Sequence, residues 1–383
     1  MTSISKINSI QPTLLSKNVY NPHSFIEIDK KAIDHNIHYY KNHIGIHNSL
    51  ALVIKGNGYG HGLIAIGLIA QQNNFVDWLC VAHYTEALEL IHAGVTKPIL
   101  VLGYVHPHHI IPAFDTIHFM IDSVAYAAVL NEVGKTHSQQ ISVHVKIDTG
   151  LSRFGIQPTQ TQKFIQQLRK LSYIKIDGIF SHFIASDTEH AITKQQLELF
   201  CSAIASIAYS NAIAHIHMSN TGSITQLQYP PFCNLFRVGL GVYGYGHDHL
   251  HLQSTLIWKT SIISIKTIPA HSYVSYACTY KTSRTTRIAL LPVGYDDGYQ
   301  LRFSNKTHVL INNFPAPVIG RIGMNTTIID VTDCPAFIGD EVILIGSAEK
   351  IRATNLAHVA GIYNVREILT GLHPQIKKIT LNI

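Results

Sequence analysis

Lys55 directly follows Leu50–Ile54, a run of five apolar residues, and every second residue from Gly56 to Gly62 is glycine. The apolar run predicts a short strand that is buried on both faces. A lysine at the end of such a strand has a desolvated stem and a lowered pKa, as a Schiff-base amine requires. The glycines let a ligand approach the backbone and leave N–H groups for an anion. Taken alone, the pattern also fits a solvated lysine in a glycine-rich turn.

The elements around this lysine predict a barrel. Most of the candidate buried strands are separated by helical stretches such as Tyr84–His92 and Lys194–Tyr209, which is typical of a parallel sheet. Eight such strands over about 200 residues predict a closed (β/α)₈ barrel, and an open doubly wound sheet is the alternative. The eight are Leu50–Ile54, Trp78–Ala82, Pro98–Leu102, Ile117–Ile121, Ile141–Ile147, Ile174–Phe180, Ala212–Met218 and Phe236–Leu240.

Unusual polar residues fall at or just after the ends of these strands. In a parallel barrel the carboxyl ends of all strands open on one face, where barrel active sites are built. This placement predicts one shared site. Its members are Lys55 after the first strand, Lys146, Asp148 and Arg153 at the fifth, His182 after the sixth, Asn220 and Thr221 after the seventh, and Arg237 in the eighth.

The two ends of the chain differ from this pattern. Phe25–Asp29 alternates like a strand and leads into a helix at Lys30–Ile37 with Asp29 as its N-cap. Beyond about Leu250 short β-like runs are broken by Gly, Pro and Asn, which predicts a second, mostly-β domain. We therefore expect an N-terminal extension over residues 1–24, a barrel over 25–250 and a β domain over 251–383. The β-like runs are Ser254–Thr267, Arg287–Pro292, His308–Ile311, Thr326–Val331 and Glu341–Ile345, and a helix is predicted at Ala353–Ala360.

Composition excludes several classes of protein. With 383 residues, 46% of them hydrophobic, the chain can bury two cores. The net charge is +6, but no basic run is dense enough to indicate nucleic acid as a partner. The 25 histidines show no metal-ligand spacing, and the densest cluster, at positions 106–109, fits a loop better than a metal site.

The cellular setting is indicated by cysteines and apolar runs. The five cysteines are scattered and never spaced as C-x-x-C, which favours free thiols in a reducing cytoplasm. The first twenty residues lack the apolar core of a signal peptide. The longest apolar run, Gly62–Ala70, is far shorter than the roughly 20 residues that span a bilayer. We therefore expect a soluble cytoplasmic protein with no membrane partner.

Seven motifs occur in order along the chain: Lys55–Gly62, Val143–Gly155, Ser181–Phe183, Phe236–Gly239, Val274–Tyr276, Val293–Gly298 and Gly320–Asn325. Through these motifs the chain from about Phe25 to Val365 resembles the alanine racemases, which hold pyridoxal 5'-phosphate (PLP) as an imine on a lysine. The resemblance implies a homodimer of barrel and β domain, with each active site completed by the partner's β domain, and interconversion of L- and D-alanine.

The resemblance also implies a role for each site residue. Lys55 corresponds to the imine lysine and one base, and Tyr276 to the opposing base. Arg237 corresponds to the partner of the pyridine nitrogen, and His182 to a residue that contacts the cofactor site and the tyrosine base. The remaining assignments are Tyr59, Asn220, Thr221, Gly239, Leu240 and Tyr363 for the phosphate, Arg153, Met324 and Tyr295 for the substrate and its entry, and Lys146 as a lysine that can be carbamylated.

The chemistry of racemisation agrees with these roles. One residue can hardly serve both faces of a planar carbanion, so an acid/base is needed on each face. Lysine and tyrosine ordinarily titrate near 10, so the pKa of each must be lowered. Because an arginine cannot accept a proton, Arg237 would keep the pyridine ring neutral and favour quick return of the proton to the α-carbon.

Departures from the family leave alternatives open. Gly56 and Gly58 replace the usual alanines, Thr221 replaces a serine and Asn325 an aspartate, and the stretch Tyr363–Leu369 keeps little but its tyrosine. A racemase that accepts serine or longer side chains is therefore the first alternative. A non-catalytic PLP-binding homeostasis protein would lack the β domain and Tyr276. A PLP decarboxylase would need a cysteine on the opposing face, for which Cys278 is an uncertain match.

Overall fold

A computed structural model describes residues 21–106, 109–110, 115–207, 212–246 and 251–382. Its strands are β1 (Phe25–Asp29), β2 (Ser49–Val53), β3 (Trp78–Val81), β4 (Ile99–Val101), β5 (Ile117–Ile121), β6 (Ile141–Lys146), β7 (Ile174–Phe180), β8 (His215–His217), β9 (Leu235–Val238), β10 (Leu256–Ser261), β11 (Ser264–Ile268), β12 (Thr286–Leu291), β13 (His308–Ile311), β14 (Phe314–Pro317), β15 (Thr327–Asp330), β16 (Glu341–Ile345) and β17 (Lys377–Leu381).

The helices alternate with the strands in the first part of the chain. They are α1 (Lys30–Ile44), α2 (Lys55–Tyr59), α3 (Leu63–Gln72), α4 (Tyr84–His92), α5 (Val124–Thr136), α6 (Thr161–Leu168), α7 (His190–Ala205), α8 (Thr221–Ile224), α9 (Ala353–Val359) and α10 (Val365–Thr370). The N-cap predicted for the first helix is confirmed, since the Asp29 side chain accepts the Ala32 N–H at 3.2 Å.

Strands β2 to β9 form a single sheet in the order β8-β7-β6-β5-β4-β3-β2-β9, and every paired neighbour within it is parallel. The two end strands are linked as well, because Asn234 N–H donates to the Ile216 carbonyl at 3.1 Å and Ile216 N–H donates to Asn234 Oδ1 at 3.0 Å. The sheet is therefore a nearly closed barrel. The prediction of a (β/α)₈ barrel is confirmed, and the open doubly wound sheet is excluded.

The chain divides into two compact units, which we call the barrel unit and the β unit. The barrel unit comprises Ile28–Leu256, Asn364–Thr370 and the residues from Thr380 onward. The β unit comprises the described residues up to Glu27, Ile257–Tyr363 and Gly371–Ile379. The short segment that holds α10 thus belongs with the barrel. Of the predicted N-terminal extension, residues 1–20 lie outside the described residues.

The mostly-β character predicted for the second domain is confirmed. One sheet has the order β14-β13-β16-β10-β1-β17 and a second has the order β11-β12-β15. The run predicted at Ser254–Thr267 is two strands, β10 and β11. Two strands, β14 and β17, were not predicted. Strand β14 contains two prolines, which sequence rules exclude from central strands, and it lies at the sheet edge where proline is tolerated.

Candidate active site

Lys55 follows the first barrel strand and begins a turn of unusual handedness. Gly56, Asn57, Gly58 and Tyr59 have φ angles of 64°, 56°, 60° and 52°, so four successive residues lie in the left-handed region. Glycine adopts this conformation freely, and asparagine tolerates it better than most residues. The alternating glycines of the sequence are therefore the residues that permit a left-handed turn.

Glu86 holds this turn to the next helix of the barrel. One carboxylate oxygen accepts the Gly56 N–H at 2.8 Å, and the other accepts the N–H groups of Ala82 and His83 at 2.9 and 3.1 Å. Burial lowers the pKa of Lys55, and the positive charge of Arg153 lowers that pKa further. The amine is thereby shifted toward the neutral form that attacks a carbonyl. Glu86 was not predicted as a site residue, although its place three residues after His83 fits a capping box.

Tyr59, Thr221 and Gly239 lie together beside the turn. The Thr221 hydroxyl oxygen accepts the N–H of Gly239 at 3.2 Å and that of Gly241 at 3.3 Å. A Cβ atom at Gly239 would lie 2.7 Å from the Tyr59 phenol oxygen, so any side chain there would close the space in front of this group. Because the Thr221 oxygen accepts both N–H groups, its own hydrogen can be donated to an anion, and so can that of the Tyr59 phenol; the arrangement fits the phosphate of PLP.

The Tyr59 ring is fixed by stacking. Its centroid lies 4.9 Å from that of Tyr243, which is fully buried, with 28° between the ring planes. Asn220 caps the short helix α8, since its Oδ1 accepts the Ser223 N–H at 3.0 Å. The structure thus brings together Tyr59, Asn220, Thr221 and Gly239, the barrel members of the predicted phosphate set, with Leu240 next to Gly239 in the chain.

Arg237 lies in the barrel interior with 3% of its surface exposed. Its NH2 group donates to the Ser181 carbonyl at 2.8 Å and lies 3.3 Å from His182 Nδ1, while NH1 contacts His217 Nδ1. Burial lowers the pKa of Arg237 to about 10, so the guanidinium keeps its charge at neutral pH. Burial, reinforced by Arg237, holds the pKa of His182 well below its ordinary range, and this imidazole is neutral.

Lys146 is also buried near Arg237. Its Nζ donates to the Ile147 carbonyl at 3.0 Å and lies 3.4 Å from the Ser181 hydroxyl. Burial, followed by the charge of Arg237, lowers the pKa of Lys146 to about 7. Arg153, predicted to contact the substrate, is exposed, and its charge also lowers the Lys146 pKa.

The histidines gather in the barrel core in a way that their spacing did not reveal. One nitrogen each of His118 and His144 and one Asp177 oxygen lie within 4.8 Å of one another. Arg237 can only donate to His217 Nδ1, so the His217 hydrogen is on Nε2, which donates to His144 Nδ1 at 2.8 Å. His144 Nδ1 is therefore an acceptor, and because burial holds the pKa of His144 well below its ordinary range, the hydrogen of the neutral ring is on Nε2. Positions 107 and 108 of the predicted histidine loop lie outside the described residues.

The other predicted residues belong to the β unit, where they are exposed. The exposed fractions are 71% for Tyr276, 44% for Tyr295, 56% for Met324 and 100% for Tyr363. Backbone hydrogen bonds join two of their segments, because Tyr295 N–H donates to the Gly323 carbonyl at 3.1 Å. Tyr276 is flanked by left-handed residues, with φ angles of 62° at Ser275 and 59° at Ala277. Such strain at non-glycine residues is typical of functional sites.

Comparison with known families covers both units. The family model described as alanine racemase, N-terminal domain, matches residues 28–247, and that described as alanine racemase, C-terminal domain, matches residues 255–380. The chain is 33% identical over 366 residues to an alanine racemase of Symbiobacterium thermophilum, covering 93% of this chain and 96% of that protein. It is 32% identical over 377 residues to the alanine racemase of Halothermothrix orenii, covering 95% and 98%.

Solved structures agree with these relatives. An alanine racemase of Clostridium difficile 630 superposes with a TM-score of 0.88 at 30% identity, covering 94% of this chain and 96% of that one. The alanine racemase of Bartonella henselae with covalently bound pyridoxal phosphate gives a TM-score of 0.83 at 25% identity, covering 94% of this chain and 100% of that one.

Among the described residues, no helix is both long enough and apolar enough to cross a bilayer.

Proposed function

The chain belongs to the alanine racemase family, and from that premise we propose that Lys55 and Tyr276 are the two bases of its reaction. The protein is a PLP-dependent alanine racemase that interconverts L- and D-alanine. When bound, PLP is an electron sink that makes the α-proton of an amino acid acidic. The residues of this chain must bind the cofactor, orient it and move that proton.

The observation that carries the assignment of Lys55 is its lowered pKa at the end of the first barrel strand. Burial is the first cause and Arg153 the second, so a larger fraction of the amine is neutral and able to accept a proton. Tyr276 carries a hydroxyl on an exposed side chain in a strained segment, where it is available to a second protein surface. One base on each side of the α-carbon satisfies the requirement of racemisation.

The barrel offers two separate groups of residues for the cofactor, one for its phosphate and one for its pyridine nitrogen. Tyr59, Asn220, Thr221, Gly239 and Leu240 would hold the phosphate, as the donors around Gly239 suggest. Arg237 would face the pyridine nitrogen, and its retained charge would leave that nitrogen without a proton. His182, neutral beside Arg237, would contact the tyrosine base. Tyr363 stays a prediction from the resemblance.

Lys146, Arg153, Met324 and Tyr295 would serve the substrate. With a pKa of about 7, roughly half of the Lys146 amine is neutral at pH 7 and able to react with carbon dioxide, which supports carbamylation at this position. Arg153 would bind the substrate carboxylate, with the Met324 backbone N–H as a further donor. Tyr295 would line the entry.

We also propose a cytoplasmic homodimer in which each active site takes Tyr276 from the partner's β unit. All five cysteines, Cys80, Cys201, Cys233, Cys278 and Cys334, are free thiols, as a reducing compartment would keep them. The exposure of Tyr276 and Met324 supports a surface that a second copy covers.

The assignment of Lys55 is tested by reductive trapping of the cofactor. Borohydride reduction of the purified yellow protein, followed by peptide mapping, should place the modification on Lys55. A cofactor peptide that maps to another lysine would refute this assignment. Lys146 and Lys97 provide internal controls, because the pKa of each is also lowered by burial.

A further inference from the structure

Helix α10 packs against the left-handed turn within the barrel unit. A Cβ atom at Gly60 would lie 1.9 Å from the Leu369 carbonyl oxygen, and one at Gly56 would lie 3.5 Å from Thr370 Cγ2. Only a glycine at position 60 therefore allows the helix to lie so close. This packing places the residues of α10 beside Lys55 and Tyr59, although more than 300 positions separate them in the sequence.

Arg366, on the exposed side of α10, is the cation that this packing presents. Burial raises the pKa of the Tyr59 phenol, while the charge of Arg366 and hydrogen bonding from its side chain act in the opposite direction; the same charge also lowers the pKa of Lys55. Asn364 orients the arginine, since Asn364 Oδ1 accepts the Arg366 backbone N–H at 3.1 Å and an NH1 hydrogen at 3.3 Å. The side chain therefore has a support on its own helix and a neighbour in the phosphate cradle.

We propose that Arg366 is a phosphate-binding residue that pairs its positive charge with the phosphate of PLP beside Tyr59. This inference rests on the proposed function, because it uses the cradle assigned there. It adds a residue that the sequence analysis did not identify. The predicted phosphate contact nearby, Tyr363, belongs to the β unit and is fully exposed.

The chemistry of the cradle explains what a guanidinium adds. The donors around Gly239 are neutral: the Tyr59 phenol and the Thr221 hydroxyl. Arg237 is buried among His182, His217 and the Ser181 carbonyl, and Lys55 is the residue proposed to bond with the cofactor. Charge-assisted hydrogen bonds to phosphate are roughly twice as strong as neutral ones. An arginine hydrogen donated to the Tyr59 oxygen also leaves the phenol hydrogen free for the anion.

The test compares PLP with pyridoxal, which has the same ring and aldehyde but no phosphate. The apoenzyme is titrated with each compound, and binding is followed by the absorbance of the cofactor. Arg366→Gln should weaken PLP binding by about tenfold or more and change pyridoxal binding far less, since the charge of Arg366 is only a minor influence on Lys55. Arg366→Lys, which keeps a charge without the planar fork, should lie between the two.

Arg169→Gln is the matched control, since Arg169 is an exposed arginine at the end of α6 in the same unit. It should bind both compounds like the wild type. The salt dependence of PLP binding should also fall in Arg366→Gln and not in the control. An equal loss for PLP and pyridoxal, or no loss for either, would overturn the role of Arg366.

A second measurement separates this inference from the proposed function. Inorganic phosphate should raise the thermal unfolding midpoint of the wild-type apoenzyme more than that of Arg366→Gln. If trapping places the cofactor on a lysine other than Lys55, the assignment of Lys55 fails, while phosphate protection still decides Arg366. Equal protection of the two proteins by phosphate would refute the proposal whatever lysine is modified.

Discussion

The barrel unit and the β unit contribute to the site in opposite ways. In the barrel, Arg237, Lys146 and Tyr59 are 3%, 4% and 8% exposed, whereas Tyr276 and Met324 of the β unit are 71% and 56% exposed. Burial is the first cause of each pKa shift at Lys55, Lys146 and Arg237. The barrel thus adjusts proton affinities by removing water from its own groups. The β unit presents its groups on an exposed surface, where water would be removed from them only if another chain covered that surface.

The largest effect expected from this difference is in mixed dimers. Lys55→Ala removes one proposed base and Tyr276→Phe the other, so each mutant homodimer should lose at least about a thousandfold in activity. In a hybrid of the two, a shared-site arrangement puts both lesions in one site and none in the other. The isolated hybrid should recover about half of wild-type activity, and a random mixture about a quarter.

Differently tagged mutants are co-expressed, and the hybrid is isolated through both tags and assayed. A hybrid built from Lys55→Ala and wild-type subunits is the control for tagging and assembly. If a confirmed double-mutant hybrid recovers nothing, Tyr276 serves its own subunit, and the idea that the partner covers the exposed surface is wrong.

The next effect concerns the buried cation of the barrel. Arg237→Glu replaces a donor by an acceptor, which keeps a proton on the pyridine nitrogen and prolongs the life of the carbanion. Racemisation should slow by about a hundredfold, while transamination per turnover increases. Arg237→Gln shows the effect of losing the charge without reversing it. Arg169→Glu is the control for the change in the net charge of the protein. An unchanged ratio of transamination to racemisation would count against the role of Arg237.

The sequence predicted the barrel well because its signal is local. Each strand is a short apolar run between turn residues, and the eight predicted strands all appear, with ends displaced by at most three residues. The polar residues at the strand ends were visible for the same reason. Lys55, Thr221 and Arg237 needed only the rule that parallel strands share one open face.

Other features depend on contacts between distant residues. The packing of α10 on Gly60 joins positions that no periodic pattern connects, so Arg366 was not identified. Contacts from Arg237 to His217 and from His217 to His144 join three separate strands in the barrel interior. These contacts were not predicted, because a histidine in an apolar run gives no indication of which residue it contacts. The left-handed turn could be predicted only in part, since glycines permit this conformation but do not require it.

The amine of Lys146 links the stability of the barrel to pH. Its pKa is about 7 in the native state and near 10.5 when unfolded, so between these values the unfolded chain holds a proton that the native state lacks. Stability should therefore rise as pH increases from 7 to 10.5, and below pH 7 the full cost of the buried charge is present. This cost is on the order of 5 kcal/mol.

Lys146→Met should raise the free energy of unfolding at pH 7 and flatten its increase up to pH 10. The measurement is denaturant unfolding at several pH values in buffer free of carbon dioxide, so that no carbamate forms. Lys163→Met, at an exposed position of α6, is the control and should keep the wild-type slope. An unchanged slope in Lys146→Met would mean that burial does not control this amine.

The smallest effect tests whether α10 is held to the turn, and the chain contains a matched pair of glycines for it. Gly60 and Gly94, which follows helix α4, have φ angles of 84° and 91°, but a Cβ atom at Gly94 meets nothing within 4 Å. Both alanine variants pay about 1 kcal/mol for the left-handed conformation. Gly60→Ala must also displace the Leu369 carbonyl, so we expect its free energy of unfolding to fall by about 2 kcal/mol more.

Hydrogen exchange should show faster opening of α10 in Gly60→Ala alone, with weaker PLP binding because Arg366 moves with its helix. If the two variants are equally destabilised, the segment 364–370 is not held in place by the turn. Arg366 and its neighbours could then not be counted among the residues of the barrel site.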